Sequence, residues 1–133
     1  MKSTKGILNP QLSRVIAETG HTDLLVVTDA GLPIPTHIER VDLSILPNLP
    51  QFLDVLKAVL QEVVVEGIIL AEEIKTQSPK MLAQILALFP ADIPITYVPH
   101  SEFKQRTKNA RAAIRSGEFT PYANVILQAG VDY

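Results

Sequence analysis

The chain has three histidines and no cysteine, so imidazoles and carboxylates must carry any acid-base work it does. His21 follows Gly20 at the end of an expected helix, where the negative end of the dipole favours the protonated ring and makes it a competent proton donor. The nearest acidic neighbour able to orient that ring is Asp23; a helix-end histidine with no further role fits the same residues. Asp29 follows an apolar run and precedes Ala30-Gly31-Leu32-Pro33, which places a carboxylate on a rigid element beside a turn. Such a group accepts hydrogen bonds from hydroxyls, or simply starts the turn. His100, in Val98-Pro99-His100-Ser101, is a second titratable group at a strand end and equally a helix-start residue. Tyr122 and Asn124 flank Ala123; on extended backbone they point the same way, and a phenol and an amide suit sugar hydroxyls.

Other chemistries lack their parts. Without cysteine there are no disulfides, thiol nucleophiles or Cys-type zinc sites. No two histidines have the i, i+4 spacing common in zinc sites, so no metal is expected. Neither G-x-G-x-x-G nor a P-loop occurs, Gly31 stands alone after its strand, and no G-x-S-x-G elbow supplies a hydrolase nucleophile. The expectation is a site without a cofactor.

A net charge of -2 gives no global field for nucleic acid or anionic membrane, and neither is expected as a partner. Lys104, Arg106, Lys108, Arg111 and Arg115 form a local basic run, but it lacks aromatic interleaving beyond Phe103. It reads as a solvated helix face with ion pairs to other subunits, from which Lys104 could face a site. Met1 to Ile7 holds two lysines and no apolar core of a secretion signal, and the longest apolar runs are strand-length, so a soluble cytoplasmic protein is expected.

The elements that must position these residues alternate. Asn9-Pro10 is an N-cap followed by a first helical proline, and Leu12, Val15 and Ile16 give a helix over about 10 to 19 one apolar face. Leu24 to Val27, Gly67 to Ala71 and Ile95 to Val98 are buried-strand runs, with weaker strands at 38–43, 112–116 and 124–129. Helical spacing joins Phe52, Leu53, Leu56, Val59, Leu60 and Val63, then Met81, Leu82, Ile85, Leu86 and Phe89 behind Ser78-Pro79, and a further helix covers 101–110. The pattern predicts one α/β domain over 1–133, a three-layer α/β/α sandwich with a mostly parallel, Rossmann-like sheet. Ligands bind such sheets outside the carboxyl ends of the strands, the side to which Asp29, Glu72, Glu73 and His100 map. At 133 residues and 47% apolar content the chain can bury a full core, and its 20% charged content hints at surface covered by other subunits.

Taken in order, Gly20-His21-Thr22-Asp23, Asp29-Ala30-Gly31-Leu32-Pro33-Ile34-Pro35, Arg40-Val41-Asp42-Leu43, Ala71-Glu72-Glu73-Ile74, Val98-Pro99-His100 and Ile114-Arg115-Ser116-Gly117-Glu118-Phe119-Thr120-Pro121-Tyr122-Ala123-Asn124 resemble the D-ribose pyranase family of sugar mutarotases. Gly31 and Leu32 point to its ribose branch rather than its fucose branch. The resemblance implies interconversion of the β-pyranose and β-furanose forms of D-ribose, an isomerase activity without metal or nucleotide. It implies His21 as proton donor and Asp29, His100 and the Tyr122-Ala123-Asn124 segment as sugar contacts. It further implies pentamers that pair into decamers, with sites at subunit boundaries. A fucose-type mutarotase and a non-catalytic sugar-binding module linked to ribose uptake are the alternatives.

Overall fold

The computed structural model describes residues 1–3 and 5–133. In chain order the elements are α1 (Pro10–Glu18), β1 (Leu24–Thr28), β2 (Glu39–Asp42), α2 (Phe52–Leu60), β3 (Val65–Ala71), α3 (Ile74–Gln77), α4 (Pro79–Leu86), β4 (Ile95–Val98), α5 (His100–Arg106), β5 (Ala112–Arg115) and β6 (Val125–Ala129), with a 3-10 turn at Thr107–Asn109 behind α5. The Asn9 side chain caps α1 by accepting the Leu12 N–H at 2.9 Å, and Pro10 takes the first helical position as the sequence predicts. The four-residue α3 is absent from the sequence reading. It is too short to show a helical period, and a single buried residue, Ile74, anchors it.

The sheet has the order β2-β5-β1-β6-β3-β4. Five strands run parallel, and β6 lies antiparallel between β1 and β3, so the sheet is mostly parallel with a mixed strand order. Period-two alternation assigns its faces. Leu25 and Val27, Ala112 and Ile114, and Val125 and Leu127 join Leu12, Val15, Phe52, Leu56 and Ile85 in the larger core under α1, α2 and α4. Val26, Ala113 and Ile126 pack on the opposite face with Val98 and Phe103 of α5. Both faces are covered, which gives three layers and explains why these strands read as unbroken apolar runs.

Strand direction then sorts the polar residues. The carboxyl ends of β1, β3, β4 and β5 share one edge of the sheet, and the reversed β6 begins there, at Val125. Their amino ends, and the end of β6 at Ala129, form the opposite edge.

Candidate functional site

At the carboxyl-end edge, Asp29 lies in the turn after β1 and is held from both sides. Its Oδ1 accepts the N–H groups of Gly31 (3.0 Å) and Leu32 (2.8 Å), an Asx turn that the Asp-Ala-Gly-Leu spacing builds locally. Asn124 grips it from across the sheet: the amide oxygen accepts the Asp29 N–H at 2.8 Å and the amide nitrogen donates to Asp29 Oδ2 at 3.2 Å. Asn124 is 1% exposed, so this carboxylate is fixed by a buried, fully directional partner. Oδ2 retains acceptor capacity for a hydroxyl.

His100 opens α5, and its backbone N–H donates to both carboxylate oxygens of Glu73 at 3.0 Å. Pro99 offers no side-chain cap, so a carboxylate brought from the end of β3 occupies the start of the helix instead. The His100 ring meets Tyr122 edge-on at 5.0 Å and stacks 6.3 Å from Phe103. Its Nδ1 is, among the described residues, the buried side-chain polar atom left without a hydrogen-bond partner. Asp29, Gly31, Leu32, Pro33, His100, Pro121 and Tyr122 line one cavity of about 250 Å³. A second hollow of about 380 Å³ adjoins Asp29 between Arg115, Glu118 and Phe119. A larger one of about 510 Å³ lies away from Asp29 and His100, between Gln51, Ser78 and Pro121.

Tyr122 corrects one expectation. Its φ of 61° is left-handed and its carbonyl accepts the Asn124 N–H at 2.8 Å, so 122–124 is a tight turn and not extended chain. The two side chains therefore do not share a strand face. The turn sends the Tyr122 ring to His100 and the Asn124 amide to Asp29, with Ala123 fully buried between them.

His21 is elsewhere. It precedes β1, whose four residue steps at roughly 3.3 Å each separate it from Asp29 by the depth of the sheet. Neither Asp29 nor Asp23 orients it within the chain. Asp23 Oδ2 accepts the Gly20 N–H and the Arg111 Nε, both at 2.8 Å, and these bonds hold its carboxyl below the usual carboxylate range. The His21 ring pairs through Nε2 with Glu66 Oε2 at 2.9 Å. Glu66 carries no signal in the sequence, where the expected strand begins at Gly67; the structure starts that strand at Val65 and so brings Glu66 into it.

Lys104 lies one turn past His100 on α5, is exposed, and does not line the cavity. The rest of the basic run has partners within the chain: Arg106 with Glu102, Lys108 with Gln105, Arg111 with Asp23, and Arg115 with Asp42. Arg115 also donates to the Ala30 carbonyl at 2.9 and 3.0 Å and so braces the turn that carries Asp29. Burial works against the charge of Asp42, but the Ser44 hydroxyl and N–H and the Arg115 guanidinium outweigh it and hold the carboxyl below its ordinary value. Among the described residues no group of three or more His, Asp or Glu side chains is arranged to hold a metal ion. No helix among them is long and apolar enough to cross a membrane.

The chain is similar to proteins named D-ribose pyranase. One from Geobacillus thermodenitrificans is 53% identical over 128 residues, covering 96% of each chain, and one from Lactobacillus gasseri is 51% identical over the full length of both. Among solved structures, Bacillus subtilis RbsD complexed with D-ribose superposes with a TM-score of 0.94 at 47% identity, covering 100% of both chains. A family model, the RbsD / FucU transport protein family, matches residues 1–132. With sequence, fold and coverage in agreement, this chain belongs to the RbsD/FucU family.

Proposed function

We propose that the chain is a D-ribose pyranase, an isomerase that interconverts the β-pyranose and β-furanose forms of D-ribose. The observation that carries this reading is Asp29, clasped from behind by Asn124, sharing one cavity with His100 and Tyr122, in a chain about half identical to proteins of that name. Ring opening removes the proton of the anomeric hydroxyl, breaks the bond from C1 to the ring oxygen, and places a proton on that oxygen. The C4 hydroxyl then adds to C1 of the open aldehyde, losing its proton as the carbonyl π bond breaks and the carbonyl oxygen gains one, so protons balance and no cofactor enters. His21 supplies the proton, Asp29 and Asn124 fix sugar hydroxyls, and His100 is the candidate acceptor. Each positioned transfer contributes roughly 100- to 10,000-fold.

Because His21 lies at the opposite edge of the sheet, the complete site takes His21 from a second copy. Support comes from the apolar surface beside the Asp29 edge, where Ile45, Leu46 and Phe119 are 72%, 62% and 62% exposed. Heterologous pairing of one edge with the other closes into a ring, and pentamers or decamers are the assemblies we propose. A cytoplasmic location follows from the same reading. NMR magnetisation transfer on equilibrated D-ribose tests the activity: wild type accelerates exchange between ring forms, and His21→Ala reduces it to the uncatalysed rate. Ribose binding without accelerated exchange would instead indicate a sugar-binding module, and faster exchange of fucose than of ribose would indicate the fucose branch.

A further inference from the structure

We infer that Glu66 is a positioning residue for His21: it holds the Nε2 hydrogen of the ring so that Nδ1 is the nitrogen presented to the sugar. The inference rests on His21 as proton donor and adds what orients it. Three features converge on Glu66. A carboxylate only accepts, so the 2.9 Å contact requires Nε2 to carry hydrogen, which leaves Nδ1 as the atom that gives and takes protons. The other carboxylate oxygen is held too, since Gln128 donates to Glu66 Oε1 at 3.0 Å from the end of β6. The backbone at this point is irregular in a way that suits the task. Val65 pairs with Ala129 and Gly67 with Gln128, so Glu66 is the extra residue of a β-bulge, a device that re-aims a side chain off the regular pleat.

The arrangement resembles the general pattern in which an imidazole is fixed in one tautomer by an acceptor on its far nitrogen. Here the ring is half-exposed and, among the described residues, Glu66 is its hydrogen-bond partner, so the bulge, the carboxylate and Gln128 together supply its orientation. Asp23, the closest carboxylate in sequence, is engaged by Gly20 and Arg111.

The test measures ribose exchange and the His21 ring by ¹⁵N NMR in wild type, Glu66→Ala, Glu66→Gln and His21→Ala, each checked for wild-type native mass. The ring gives its Nδ1 proton from the doubly protonated form, so the expected wild-type signal at a pH where the ring is neutral is the Nε2–H tautomer of His21. Glu66→Ala mixes the tautomers and lowers kcat roughly 10- to 100-fold, part of what a positioned proton transfer supplies, with KM for ribose unchanged. Glu66→Gln keeps an amide oxygen for Nε2 and recovers part of both signals, which a purely structural role would not produce. Wild-type exchange in Glu66→Ala, or an Nδ1–H tautomer in wild type, overturns the inference. Should His21→Ala itself exchange ribose at the wild-type rate, the proton-donor assignment fails. Inactive His21→Ala beside fully active Glu66→Ala rejects only the role of Glu66.

Discussion

The carboxylate and the proton donor of the proposed site are each held by a partner far away in sequence. Asp29 depends on Asn124, 95 residues on, and His21 on Glu66, 45 residues on. The sequence makes Asp29, His100 and Asn124 visible, because carboxylates, imidazoles and amides at expected strand ends are few. It does not reveal who holds them, since only the sheet order brings β6 beside β1. Truncating Asn124 removes both of its bonds to Asp29 and leaves a half-buried backbone N–H without this partner, a cost of about 1 kcal/mol. Asn124→Ala is therefore expected to lower the unfolding midpoint and, as its larger effect, to weaken ribose binding roughly tenfold or more, measured by titration with ribose.

The strands are the most legible elements, because a sheet covered on both faces writes unbroken apolar runs into the chain. Helix starts are less so. Gln51 provides no side-chain cap for α2, and Glu118, 66 residues on and 8% exposed, accepts the Phe52 N–H at 3.0 Å in its place. Glu73 does the same for α5. Motifs that look for a cap just before a helix miss both, because the carboxylates arrive through tertiary structure. The segment that delivers Glu118 threads closely past the 44–50 loop: a Cβ at Gly117 would stand 2.5 Å from the Leu49 carbonyl oxygen and 2.7 Å from that of Leu46. These are backbone atoms that cannot rotate aside. Gly117→Ala is expected to displace the loop, to cost about 1 to 3 kcal/mol in thermal or denaturant unfolding, and to weaken assembly through Ile45, Leu46 and Phe119.

At the scale of the molecule, the sequence reading gathered the proton donor and the sugar contacts into one list, and the fold divides that list between two edges. The order along the chain already contains the division, because it depends on which end of β1 each residue occupies: His21 enters the strand and Asp29 leaves it. The division predicts complementation. His21→Ala and Asp29→Ala are each expected to be inactive alone. Mixed, unfolded and refolded together in equal amounts, they should recover about a quarter of wild-type exchange, because random neighbours in a heterologous ring pair an intact His21 with an intact Asp29 that often. No recovery in hetero-oligomers of normal mass would show that the two residues do not share a site.

β6 touches both halves of this division. Its upstream neighbour Asn124 clasps Asp29 at one edge, and four residues further on Gln128 clasps Glu66 at the other. The strand thus acts as a gauge bar with a station at each end, clamped between β1 and β3 so that it can neither stretch nor slide. In the proposed assembly every site takes the sugar station of one bar and the donor station of the next. A single inserted or deleted residue in β6 would put both stations out of step at once, around the whole ring, so changes of length in this family are expected to fall in the loops and leave this strand alone.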